Sequence, residues 1–288
     1  YINGELEIMN NDDSYQYDVE VAYGKDENFK VSLTNKINNH EQIILKNEDG
    51  VYVLTPSLNK SFKFQSEWPY NNSQIYILQT LLKDIQNDKE KKFEETEDGY
   101  LFTTKVDYSN NSNLVNQQIK LDKNLNFKEV SIFNSTGAVQ MKMIFNSIDY
   151  KATYDKTYFS LKGNVGNVKT KTTGKTLDSI IYPMYIPNNT KLSAQEKIMT
   201  DDGERIILTF SGESPFMLVQ ETASVPSDIE TIPVYGEPCL VTGTVGALSD
   251  SSITWINNGV EFYVVSDVLS SEDLIDVANS ITVSAVVK

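Results

Sequence analysis

The sequence predicts a mainly β protein of the α+β class, and three observations carry that prediction. Short stretches of period-two alternation recur through most of the 288 residues. Clusters of Gly, Asn, Asp, Ser and Pro with turn composition separate them. Between Ser73 and Asp88 the spacing changes to the threes and fours of one amphipathic helix, which needs a sheet to lie on.

Residues 15 to 23 set Tyr15, Tyr17, Val19, Val21 and Tyr23 on one face and Gln16, Asp18 and Glu20 on the other, a strand with one wet face. Phe29, Val31 and Leu33 repeat the pattern, Gln42 to Lys46 adds a short strand, and Asn47 to Gly50 reads as a hairpin loop. Val51 and Val53, then Phe62 and Phe64 after Thr55-Pro56, give two more strands. Ser73 is the expected N-cap of the helix, whose stripe is Ile75, Leu78, Leu81, Leu82 and Ile85. That helix is expected to roof one sheet face. The charged run Asp88 to Asp98 reads as a solvated connection. Gly99 to Val106, Leu114 to Leu121, Phe127 to Phe133 and Val139 to Phe145 continue the antiparallel series.

Residues 162 to 175, rich in Gly, Lys and Thr, read as a linker between a first domain of residues 1 to 161 and a second of residues 176 to 288. Strands are expected over Leu192 to Met199, Arg205 to Phe210, Phe216 to Glu221, Cys239 to Leu248, Ser252 to Ile256 and Val260 to Val265. A closing helix is expected over about 271–281, with Ser270 and Asp273 as a capping box. This second domain is a small α+β unit.

The formal charge is -15, which argues against nucleic acid as a partner. Arg205 is the one arginine among 25 basic residues, so bidentate recognition of phosphate has little raw material. Cys239 is the one cysteine and can form no intrachain disulfide. No apolar run reaches the ~18 residues of a membrane span. The chain starts at Tyr1 within a strand-like pattern, which leads to the expectation of a preceding signal or anchor segment.

The stretches Gln42 to Asn47, Asp49 to Pro56 and Lys60 to Ser66, with Trp68-Pro69, resemble the shared signature of the sporulation and germination lipoproteins of endospore-forming bacteria, the GerS-like family. That family lies within the superfamily of the lipoprotein carrier LolA and the regulator RseB. The resemblance spans residues 1 to 161. Residues 184 to 281, with the hairpin through Trp255, Asn257, Asn258 and Gly259, are similar to a small C-terminal unit of RseB-like proteins. The resemblance implies a curved antiparallel half-barrel sheet plugged by helices. It implies a location outside the cytoplasmic membrane and a lipid anchor on an N-terminal cysteine that this sequence does not contain. In the germination branch it implies a non-catalytic role beside a cell-wall amidase, and in the carriers an acyl chain held between sheet and plug.

The residues themselves give little sign of catalysis. His40, the one histidine, stands in the polar turn Asn38 to Glu41, with no companions for a triad or a zinc site. Cys239 reads as a buried thiol with no histidine to activate it. Asp201-Asp202-Gly203-Glu204 reads as a hairpin turn rather than a metal loop, and Asp12-Asp13 and Glu94-Glu95 do not form an acid/base pair by spacing. The Asn-x-Ser/Thr triplets at Asn71, Asn110, Asn134 and Asn188 are what an Asn-rich chain produces by chance. No catalytic residue, metal or cofactor is assigned. Two functions follow as expectations: an envelope lipoprotein that binds a protein partner, or a carrier of an acyl chain or lipoprotein. For the second, the candidate ligand or plug lining is Val53, Phe62, Phe64, Trp68, Leu78, Leu82, Met141 and Met143. A permanent plug is favoured over a displaceable lid.

Overall fold

The computed structural model describes all residues except 11–12, 71–72, 109–110, 156, 166–176, 178, 201–202 and 282–288. Most of the expected linker, and the residues Asp12, Asn71, Asn110, Asp201 and Asp202, therefore lie outside the described residues. Lys162–Asn164 forms a short 3-10 turn.

Contacts divide the chain into two compact units, Tyr1–Val51 with Ser66–Asn164, and Tyr52–Gln65 with Val165–Lys288. The division departs from a plain split near residue 161, because residues 52 to 65 group with the C-terminal half. The reason is visible in the second unit, where a strand and a buried ion pair hold that segment.

The first unit contains β1 (Ile2–Asn10), β2 (Asp13–Tyr23), β3 (Phe29–Asn35) and β4 (Glu41–Asn47). After the chain returns come α1 (Leu78–Asn87), β7 (Lys92–Glu95), β8 (Gly99–Lys105), β9 (Leu114–Asp122), β10 (Phe127–Asn134) and β11 (Val139–Ile148). The strand order is β4-β3-β2-β1-β11-β10-β9-β8-β7, antiparallel between neighbours. Alternation decides the faces: Tyr17, Val19 and Val21 are buried while Gln16, Asp18 and Glu20 are exposed. At the β1–β11 bulge beside Gly4, an added Cβ would meet the Ile144 carbonyl oxygen at 2.3 Å, so this crossing requires glycine.

Two expectations change here. Lys92–Glu95 lies in the run read as a solvated connection, yet it forms β7, with every residue exposed. Its ladder to β8 and the Phe93 ring, 5.0 Å from Phe102, hold it in place. Ser73 is not the helix cap. The N-cap is Ile77, with no side-chain cap bond, and Ile75, Tyr76 and Ile77 are a buried run before the first helical turn. Counting the stripe from Leu78 leaves Leu82 at its rim, and Leu82 is 47% exposed. Within α1 only Thr80 and Leu81 are buried, so the helix covers its neighbours less fully than a roof would. Trp68 supplies further cover, packing edge-on against Phe29.

The second unit contains β5 (Gly50–Thr55), from Tyr52 onward, and β6 (Lys60–Phe64). It continues with β12 (Thr190–Thr200), β13 (Gly203–Gly212), β14 (Phe216–Thr222), β15 (Glu230–Val234) and β16 (Gly236–Val241). β17 (Thr244–Ser249), β18 (Ser252–Asn257), β19 (Val260–Val265) and α2 (Ser271–Asn279) complete it. A seven-stranded sheet has the order β12-β13-β14-β19-β18-β17-β16, and β6 lies between β5 and β15. The β6–β15 pairing is parallel.

The core of this unit stacks Phe210 on Phe216 and Trp255 on Phe262, closed by Leu274, Val277 and Ala278 of α2. The Ser270–Asp273 capping box is present in both directions. The strand expected over 239 to 248 is broken into β16 and β17 by Thr242 and Gly243, both at positive φ. The Thr242 carbonyl accepts from Asn257 Nδ2, and its N–H donates to Asn279 Oδ1, which fixes the turn.

Candidate functional site

The residues of the expected apolar lining come from both units. Val53, Phe62 and Phe64 are buried residues of the second unit. Trp68, Met141 and Met143 are buried in the first, where Met143 sits in register between Leu6 and Val130 and Met141 between Ile8 and Ile132. Leu78 is half-buried and Leu82 exposed. Leu82 faces away from the interior.

What α1 does border is polar. A groove of about 570 Å³ runs beside it, walled by Thr80, Lys83, Asp84 and Asn87 of the helix, Asp88 to Glu90, Lys105 to Asp107, Tyr70 and Ser73. Asp84 is its electrostatic centre. Its Oδ2 accepts from Ser73 Oγ at 2.9 Å and from Gln117 Nε2 at 2.8 Å. Burial pushes the Asp84 carboxyl above the ordinary carboxylate range, against the pull of those two donors. Ser73 thus acts as a clamp: its N–H donates to the Asp107 carbonyl at 2.7 Å and its Oγ accepts from the Asp107 N–H at 2.9 Å. Composition alone marked Ser73 as a cap, and nothing in the local sequence signals its distant partners. At the groove mouth Lys83 donates to the Tyr70 carbonyl, Lys105 pairs with Glu90, and the Lys105 N–H bond to Asp88 holds that carboxyl low. One ion pair, Lys105 with Glu90, forms among these groove residues, and Asp84 is held by neutral donors.

The residues examined for chemistry are likewise placed. His40 is exposed in its turn, where its N–H donates to Asn38 Oδ1. The Cys239 thiol is pushed up to about 12 by burial first, with Glu237 adding to the effect, so it remains protonated near neutrality. Among the described residues no group of three His, Cys, Asp or Glu side chains gathers as metal ligands would.

The second unit holds a different buried charge. Lys60 Nζ is 2.5 Å from Glu261 Oε2, with side chains 6% and 15% exposed, and Glu230 follows at 4.0 Å. Ser61 Oγ lies 2.9 Å from Thr231 Oγ1, and Asn59 Nδ2 donates to the Pro226 carbonyl. The signal for this cluster was in the sequence. Lys60 has the same phase as Phe62 and Phe64, and a lysine on an apolar face requires a carboxylate.

No family model matches the chain. It is 38% identical over 269 residues to sporulation protein YdcC of Bacillus subtilis strain 168, a match covering 92% of this chain and 80% of that protein. The chain belongs to the YdcC family of sporulation proteins. This family agrees with the resemblance carried by residues 42 to 69. The crystal structure of MucB is 12% identical, covering 97% of this chain and 91% of that one, with a TM-score of 0.34. The structure of the CwlD amidase from Clostridioides difficile in complex with the GerS lipoprotein is 13% identical, covering 52% and 84%, with a TM-score of 0.26. At those scores neither likeness supports an argument about this chain.

Proposed function

We propose that this member of the YdcC family is a non-catalytic envelope protein of spore formation that acts by holding a protein partner. The observation that carries the reading is the identity with sporulation protein YdcC along 92% of the chain. The chemistry-bearing residues are consistent with it. The Cys239 thiol is held protonated, His40 is a turn residue, and Asp84 is engaged by Ser73 and Gln117. Within this reading the partner is a cell-wall amidase, and the protein is held outside the cytoplasmic membrane by a lipid. These finer points rest on the family resemblance. No observation favours the acyl-chain reading over it.

The test is affinity capture of the tagged protein through sporulation, combined with cortex analysis of spores from a deletion strain. Co-purification of a wall amidase and a cortex lacking that amidase's product are the expected results. Recovery of no envelope protein, together with unchanged cortex, would refute the proposal. Release from membranes by a lipase but not by salt checks the anchor.

A further inference from the structure

Thr80, Asp84 and Asp88 recur at every fourth position from the first turn of α1 to its end, which sets them on one stripe of the helix. A polar stripe at that spacing ordinarily faces solvent. Here it lines the groove together with Lys105, Val106 and Asp107 from the end of β8, and Thr80 is buried. Acceptors gather at its centre. Both hydrogen bonds to Asp84 end on Oδ2, and the Ser73 hydroxyl that makes one of them also accepts from the Asp107 N–H. Gln117 is fully buried and reaches Asp84 with its Nε2, while its Oε1 has no hydrogen-bond partner among the described residues. Thr104, opposite Gln117 on β8, is buried with its Oγ1 in the same condition. A buried acceptor without a donor is costly, so this corner is short of donors.

We propose that the groove beside α1 binds a small zwitterion, a free amino acid or dipeptide, with its ammonium at Asp84 and Asp107 and its carboxylate at Lys83 and Lys89. The inference goes beyond the partner-binding reading and does not depend on it. A primary ammonium brings three donors and no acceptor. That is the complement of a corner holding an open carboxylate oxygen, a second carboxylate and a buried amide oxygen. An anionic group placed there would meet two acids instead.

The two lysines select the other end of the ligand. Lys83 uses one N–H on the Tyr70 carbonyl and keeps its remaining donors, and Lys89 is exposed on the turn after the helix. Together they disfavour a second ammonium and suit a carboxylate. The volume of about 570 Å³ admits a molecule of this size. General attraction of cations to a chain of net charge -15 would rank ligands differently, placing a diamine ahead of a zwitterion.

Titration of the isotope-labelled whole chain with glycylglycine, followed by amide NMR shifts over roughly 0.1–50 mM, tests this, a range suited to so small a ligand. Saturable shifts centred on α1, Ser73, Lys105 to Asp107 and Gln117 are expected. N-acetylglycylglycine, which lacks the ammonium, and putrescine, which replaces the carboxylate with a second ammonium, should each bind at least about tenfold more weakly. Asp84→Asn still offers an oxygen to Ser73 and Gln117, and Asp107→Asn changes an exposed side chain, so both variants should fold, as thermal melts check. Each should weaken glycylglycine binding at least about tenfold. The absence of saturable shifts with glycylglycine would overturn the proposal. So would acetylated dipeptide or putrescine binding as tightly, or glycylglycine affinity unchanged in both variants.

Discussion

Replacing Lys60 with methionine should destabilise the second unit far more than a surface substitution would. In the folded chain the ammonium lies 2.5 Å from the Glu261 carboxylate, both side chains nearly out of water, with Glu230 at 4.0 Å as a weaker second partner. Methionine preserves the stem but leaves Glu261 charged and unpaired in a poorly hydrated site. Breaking a buried pair in this way costs about 3–5 kcal/mol. The lower end applies here, because Glu261 keeps some contact with solvent. The double variant Lys60→Met/Glu261→Met removes both charges and should recover most of the loss, since a well-packed apolar replacement can match a buried ion pair. The two tryptophans fall one in each unit, so Trp255 fluorescence in a Trp68→Phe background reports the second unit alone. At an ordinary urea dependence, about 3 kcal/mol lowers the midpoint by roughly 1–3 M. A single variant within about 0.5 kcal/mol of the parent, or a double variant no better than the single, would refute the reasoning.

Three further outcomes follow from local geometry. Cys239 should resist alkylation by iodoacetamide at pH 8 in the folded chain and react on denaturation, because burial pushes its thiol up to about 12; brisk labelling of native protein would contradict this. Ser270→Ala removes the hydroxyl half of the α2 capping box, leaving the residue 270 N–H bond to Asp273, and should cost about 1 kcal/mol in chemical denaturation, whereas Ser270→Asn should retain most of it. Asp84 has a folded pKa raised by burial, so its charged form opposes folding, and its contribution is more favourable below the unfolded value and declines as pH rises through the folded one. Asp84→Asn should therefore gain at pH 7, by less than about 1 kcal/mol after solvent screening, and the gain should vanish on acidification; thermal melts at the two pH values check the sign.

Much of the fold was legible because burial is one-sided where the alternation is clean. β2 and β8 to β11 lie where period two places them, and Ser270 with Asp273 begins α2 as the motif requires. Legibility failed where a distant partner outweighs local pattern. β7 is four exposed residues of mixed charge, made a strand by its neighbour. β15 carries Pro233 and little alternation, and it exists by pairing with β6, some 170 positions earlier in the chain. Thr242 adopts a left-handed conformation that β-branched residues rarely take, so the break between β16 and β17 had no turn signature of the usual kind. In the site, Ser73 was singled out for the wrong role: a hydroxyl's partners depend on which strands come near, and those are set by tertiary structure. Leu82 was misplaced for a different reason: residue type favours the inside, but its phase on α1 turns it outward.

That residues 52 to 65 belong to the second unit has a consequence for biosynthesis. The carboxylate that Lys60 requires lies 201 positions further along the chain. At elongation rates of about 5–20 residues per second, β6 emerges roughly 10–40 s before that partner exists. Throughout that interval a strand bearing Phe62 and Phe64 waits with an open edge. Slower translation, or premature termination ahead of Glu230, prolongs the exposure and should appear first as a demand for chaperones during synthesis rather than as any defect of the finished molecule.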